Sequence, residues 1–159
     1  MSLSDILRLV VACVVCLSVG LIGSLAVGGS FTTWYATIEK PAFTPPSWVF
    51  GPVWTILYVL MGVAAFLVWK KGLDQPAVKV ALAWFLVQLA LNASWTPVFF
   101  GLHRPDLALI VILLLWGALV VTMLCFVRVS RPATLLLVPY LLWVSVAAVL
   151  NASIWHLNR

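Results

Sequence analysis

The stretch WYATIEKPAFTPPSWVFGPVWTILY, Trp34 to Tyr58, lies between two long apolar runs and decides how the rest of the chain is read. Pro41, Pro45 and Pro46 each fix their own φ and push the preceding residue toward extended backbone. Trp34, Tyr35, Phe43, Trp48 and Phe50 add large rings that need a surface to pack against. Such a segment is predicted to be an ordered aromatic lid over the mouth of a helical bundle, not a slack linker.

The flanking chain supplies the bundle. Of 159 residues 65% are hydrophobic and 8% charged, too little polar surface to coat a water-soluble globule. A membrane span needs about 20 mostly apolar residues to cross roughly 30 Å of hydrocarbon. Five windows meet that length, at residues 6–27, 51–69, 80–101, 107–127 and 134–155, with the lid occupying residues 28–50. The predicted fold is therefore an all-α integral membrane protein, one domain over residues 1–159 built as a five-transmembrane-helix bundle. The first window is too long for a signal-peptide core and runs on toward further spans, so it is read as a retained helix. The later connections are short, which predicts sequential antiparallel neighbours. Pro52 is expected in the first turn of the second span, and Pro97 and Pro139 to bend the third and fifth.

Ionisable residues cluster at the ends of the windows, as expected where a mid-bilayer charge costs about 2.5–3.5 kcal/mol. Five crossings put Arg8, Lys70, Lys71, Lys79, Arg128 and Arg131 on the N-terminal side and Lys40, Arg104 and Arg159 opposite. The positive-inside bias then makes the N-terminus cytoplasmic and turns the lid and the C-terminus outward. The net charge of +5 is scattered over short loops, which fits headgroups and argues against nucleic acid as a partner. Cys13 and Cys16 carry a C-x-x-C spacing with only Val14 and Val15 between them, deep in the first span and without further Cys or His nearby. That is the pattern of small apolar thiols in a helix interface, and no metal site is assigned.

Small residues at four-residue spacing, Gly20, Ser24 and Gly28 in the first span and Ala77 and Ala81 before and in the third, mark expected sites of close helix approach. Function is read from three helical stripes that carry polar and aromatic groups at membrane depth. They are Trp54, Tyr58, Met61 and Ala65; Gln88, Asn92, Trp95 and Phe99; and Tyr140, Trp143, Ala147 and Asn151. An unpartnered amide in hydrocarbon costs several kcal/mol, so Gln88, Asn92 and Asn151 must face inward, toward other helices or a ligand. Trp69, Trp84 and Trp155 are expected in the interfacial belt instead. Rings on several walls, a few amides and phenols, and no charge describe a pocket for a flat, largely apolar molecule with polar edges, such as a tetrapyrrole or a sterol-like compound. His103 and His156 lie near helix ends without an adjacent nucleophile and are expected at the surface.

These residues resemble the tryptophan-rich sensory protein and translocator protein family, its bacterial members in particular, over essentially the whole chain. The matching signatures are W-Y at Trp34 and Tyr35, K-P-x-F-x-P-P-x-W-x-F at Lys40 to Phe50, and W-x-x-L-Y at Trp54 to Tyr58. They continue with Q-x-x-x-N-x-x-W-x-x-x-F-F-G at Gln88 to Gly101, and P-Y-L-x-W with a later L-N between Pro139 and Asn151. The resemblance implies a five-helix bundle, usually a homodimer in the membrane lipid, with no required cofactor. It implies that porphyrins such as protoporphyrin IX and haem, and drug-like ring compounds, bind under the first loop in a sensing or transport role. Carried over by position, the ligand-lining residues are Tyr35, Phe50, Trp54, Tyr58, Asn92, Trp95, Thr96, Trp143, Ala147, Leu150 and Asn151. It also implies an alternative, an enzyme that degrades protoporphyrin IX with light and oxygen, in which Trp54 and Trp143 would be catalytic. Eukaryotic members carry a C-terminal cholesterol pattern with a central tyrosine; here Leu150 is followed by Trp155 and Arg159, without that tyrosine.

Overall fold

The computed structural model of the chain describes residues 2–159. Five of its helices are long and apolar enough to cross a membrane. They are α1 (Leu3–Val27), α3 (Ser47–Trp69), α4 (Pro76–Thr96), α5 (Pro105–Val127) and α6 (Arg131–Leu157), with a short α2 (Trp34–Thr37) in the first connector. Local chemistry sets their ends. Ser2 and Asp5 close a reciprocal capping box on α1, Ser130 caps α6, and Pro76 and Pro105 open α4 and α5 where a missing N–H leaves no partner unsatisfied.

Around the bundle the order is α1, α3, α6, α5, α4, closing back on α1. Sequential packing, predicted from the short connections, holds for α4 with α5 and α5 with α6 but not for α3 with α4, which meet only weakly. Instead α1 packs against both, and glycines bring it close to α3. A Cβ on Gly62 of α3 would stand 2.6 Å from the Cα of Cys13, and one on Gly20 of α1 would stand 2.5 Å from the Tyr58 ring. Close backbone approach is the main source of net attraction between helices already solvated by lipid. Of the expected small-residue stripe, Gly20 packs inside the molecule, whereas Gly28 ends α1 at a φ of +49° and Ser24 remains exposed. Ala81 is fully buried while Ala77 is not.

Two prolines behave differently from expectation. Pro52 lies inside α3 rather than in its first turn, because the helix already starts at Ser47 after Pro46. At Pro97, α4 widens into a π-helical turn, Pro97–Gly101, in which the Leu102 amide donates to the Pro97 carbonyl at 2.9 Å. Near the end of this turn, where helix carbonyls lack intrahelical partners, the Phe100 carbonyl accepts from the Ser30 hydroxyl at 3.0 Å, which ties the connector to α4.

All three inward stripes face the interior, but they build two different layers. Met61, Gln88 and Tyr140 are fully buried in the half nearer the N-terminus, with Ala65 and Asn92 close to it. There Tyr58 Oη donates to Asn92 Oδ1 at 2.7 Å, Asn92 Nδ2 donates to Tyr140 Oη at 2.8 Å, and Tyr140 Oη donates to Gln88 Oε1 at 3.0 Å. This polar chain joins α3, α4 and α6 through the centre of the bundle.

Gly62→Ala should lower stability by about 1–3 kcal/mol, since the clash is with backbone rather than a flexible side-chain tip. Reversible unfolding in mixed micelles measures it. Tyr140→Phe should cost about 1–3 kcal/mol in the same assay, because it strands both the Asn92 donor and the Gln88 acceptor in a dry interior. Stability equal to the parent would show that neither contact holds the helices together.

Candidate ligand-binding site

Above the polar chain the bundle is hollow. A cavity of about 580 Å³ lies between α1, α3, α4 and α6 at the connector end. Its size falls within the roughly 300–1,000 Å³ usual for small-molecule sites. Trp54 and Tyr58 form one wall, with the two rings stacked at 5.5 Å. Trp95 and Thr96 of α4 form a second, and Trp143, Ala147, Leu150 and Asn151 of α6 a third. Gly20 and Gly23 of α1 complete the wall with bare backbone. Stripes at helical spacing deliver these groups because each helix presents one face inward over several turns.

Phe31 and Tyr35 of the connector, with Phe50 from the first turn of α3, roof the cavity. Phe31 lies tilted against Phe100 at 4.9 Å and meets Tyr35 edge-on at 5.2 Å, while Phe50 meets Trp143 edge-on at 5.8 Å. Outside this layer Trp34 lies over the exposed His103 ring at 4.6 Å and edge-on to Phe99 at 5.6 Å. Three polar ties hold the roof. Lys40 Nζ donates to the Tyr35 and Ile38 carbonyls at 2.6 and 2.9 Å, so a cation caps the C-terminal end of α2. Asn158 accepts from the Glu39 amide and donates back to its carbonyl, both at 2.9 Å, fastening the connector to the end of α6. The Ser30 bond to the π-helical turn is the third. Burial holds the Tyr35 phenol above its usual range, so it stays neutral under the roof.

The residues carried over by resemblance divide into two groups. Tyr35, Phe50, Trp54, Tyr58, Trp95, Thr96, Trp143, Ala147, Leu150 and Asn151 all line the large cavity. Asn92 does not: it sits behind the Tyr58 ring with both ends of its amide bonded, beside a void of about 10 Å³. Asn151 reaches the cavity but is also fully engaged, accepting from Trp95 Nε1 at 3.0 Å and donating to the Pro105 carbonyl at 2.8 Å. Its amide therefore orients the Trp95 indole. The buried Trp143 Nε1 and Gln88 Nε2 have no hydrogen-bond partner. Trp48, central to the aromatic motif, is 74% exposed and belongs to the outer surface.

Sequence reasoning missed the contribution of α1 and of the π-helical turn. Leu17, Gly20, Leu21, Gly23, Ser24 and Val27 line the cavity, as do Phe100 and Ile154; Phe99, which its spacing had put on an inward stripe, lines it too. The glycines of α1 were the available signal, since a bare backbone next to rings leaves room. The cavity carries no acid, base or histidine among its lining residues, so its chemistry is that of ring faces, indoles and hydroxyls. Among the described residues no group of three His, Cys, Asp or Glu side chains gathers as a metal site.

Comparison with known proteins agrees with this architecture. The profile of the TspO/MBR family matches residues 12–156. The tryptophan-rich protein TspO of Chlorobaculum tepidum is 46% identical over 154 residues, covering 97% of this chain and 98% of the relative. That of Archaeoglobus fulgidus is 43% identical over 155 residues, covering 97% and 99%. The translocator protein of Homo sapiens is 43% identical over 140 residues, covering 87% and 82%. With five apolar helices and a family match over nearly its whole length, the chain is an integral membrane protein that belongs to the TspO/MBR family.

Proposed function

We propose that this protein binds a porphyrin, such as protoporphyrin IX or haem, or another flat drug-like ring compound, in the cavity beneath the aromatic roof. In that role it serves as a sensor or transporter in tetrapyrrole or stress regulation, in a bacterial cell membrane with its N-terminus cytoplasmic and its roof outward. The observation that carries the reading is one uncharged hollow of about 580 Å³ with indoles on separate walls, Trp54 on α3, Trp95 on α4 and Trp143 on α6. Lipid already solvates an apolar ligand, so selectivity must come from ring stacking and indole hydrogen bonds rather than from apolar burial. The unpartnered Trp143 Nε1 supports this, because a ligand acceptor that lets the indole turn and donate would recover a hydrogen bond otherwise lost. Carboxylates on such a ligand must reach the connector end, since an unpaired charge within the hollow would be too costly.

Saturable quenching of tryptophan fluorescence by protoporphyrin IX tests the proposal. Trp54→Phe should weaken the complex by at least about 1 kcal/mol, close to a fivefold rise in Kd, through the lost indole stacking surface. An unchanged Kd would remove Trp54 from the site.

A second reading, light- and oxygen-dependent breakdown of the porphyrin, is favoured by one arrangement. Trp54 touches the cavity while its ring lies 5.5 Å from Tyr58 and 6.2 Å from Tyr140, so an oxidised indole would have phenols within electron-transfer reach. Illumination of the complex in air separates the readings. Loss of the porphyrin spectrum to a discrete product, abolished by Trp54→Phe with Trp143→Phe, favours chemistry; a persistent spectrum leaves binding alone.

A further inference from the structure

The residues that line the cavity are not equally covered. Those under the connector are buried or half-buried, as are those from α4 and α6. Five lining residues are exposed, and all five lie along one seam: Leu17, Leu21 and Ser24 on α1, and Gly51 and Thr55 on α3. On α1 they fall at i, i+4 and i+7, and on α3 at i and i+4, so each set forms one lip. Toward the N-terminal side the seam is shut where Gly62 meets Cys13 and Gly20 meets Tyr58. Toward the connector it stays open. A Cβ on Gly51 would meet nothing within 4 Å, and Leu21 is 62% exposed beside the hollow.

The lips carry no charge, and their two hydroxyls are spent within their own helices. Ser24 Oγ donates to the Leu21 carbonyl at 2.8 Å and Thr55 Oγ1 to the Gly51 carbonyl at 2.9 Å. A slot of this chemistry on the outer face of two membrane-spanning helices meets acyl chains rather than water. The aqueous end, by contrast, is closed by the aromatic roof and its three polar ties.

We propose that the seam between α1 and the first turns of α3 is a lateral portal through which ligand passes between the cavity and the hydrocarbon of the adjoining leaflet, while the roof stays shut. The portal suits molecules already dissolved in the membrane, apolar and flat enough to slide edge-on between two helices. The identity of the ligand rests on the reading above; the position of the opening does not.

Stopped-flow fluorescence with protoporphyrin IX in phosphatidylcholine vesicles reads the route. Gly51→Trp and Ser24→Leu, one on each lip, should each slow both association and dissociation at least fivefold, whereas a substitution that only weakened the site would release ligand faster. Asn158→Ala, which frees Glu39 of the roof, should leave both rates as in the parent. Unaltered rates in the lip variants, together with faster exchange in Asn158→Ala, would overturn the portal.

A measurement without ligand keeps the test independent. A nitroxide at Ala147→Cys, inside the hollow, is introduced with Cys13, Cys16 and Cys125 replaced by alanine. It should collide with lipid-soluble oxygen far more than with a water-soluble nickel chelate, and Gly51→Trp should reduce the oxygen collisions. The reverse preference would show that the cavity communicates with water. Absence of saturable porphyrin quenching alongside the expected nitroxide result would sink the ligand and keep the portal.

Discussion

An amide in hydrocarbon has nowhere to turn for a partner except another helix, and that constraint organises this molecule. Asn92 on α4 is satisfied at both ends of its amide by Tyr58 of α3 and Tyr140 of α6, and Gln88 at its carbonyl by Tyr140, so helices far apart in sequence are tied across the centre. The chain of bonds fixes where the interior is solid. Above it the side chains change from tyrosine and amide pairs to indoles on separate walls, which cannot fill the space between them, and the hollow begins there. Tyr58 belongs to both layers: its hydroxyl ends the polar chain while its ring floors the cavity.

The roof follows a different logic. Its rings pack on one another and on Phe99 and Phe100, but ring packing alone does not fix a backbone that runs through three prolines. The fixed points are polar. Lys40 holds the end of α2, Asn158 holds Glu39, and Ser30 holds the Phe100 carbonyl near the end of the π-helical turn. The π-helical turn that begins at Pro97 carries Phe99 and Phe100, which meet edge-on at 4.8 Å and pack against the roof rings. With the roof held in this way, above walls held by the central chain, the exposed lining residues lie along the seam between α1 and α3.

Much of this was legible in the residues themselves. The five spans follow from apolar length, and the inward faces of α3, α4 and α6 follow from a helical period that puts Trp54 with Tyr58, Asn92 with Trp95, and Trp143 with Asn151. The order of the helices was not legible. Short connections argue for neighbours in sequence, yet α1 packs against both α3 and α4; the small-residue spacing marks Gly20 for close approach but does not say that it meets the Tyr58 ring or that Gly62 of α3 meets the Cys13 backbone. Nor did type and spacing distinguish Asn92, sealed behind Tyr58, from Asn151, which reaches the cavity wall.

Sequence by itself determined the solvent, the number of spans and the inward-facing residues, because a helix that crosses lipid must be apolar with its polar groups turned inward. Only the tertiary structure decided which inward groups satisfy one another and which are left facing a void, and along which seam that void opens. Those outcomes depend on distances between helices, and such distances arise from close packing of surfaces far apart in the chain.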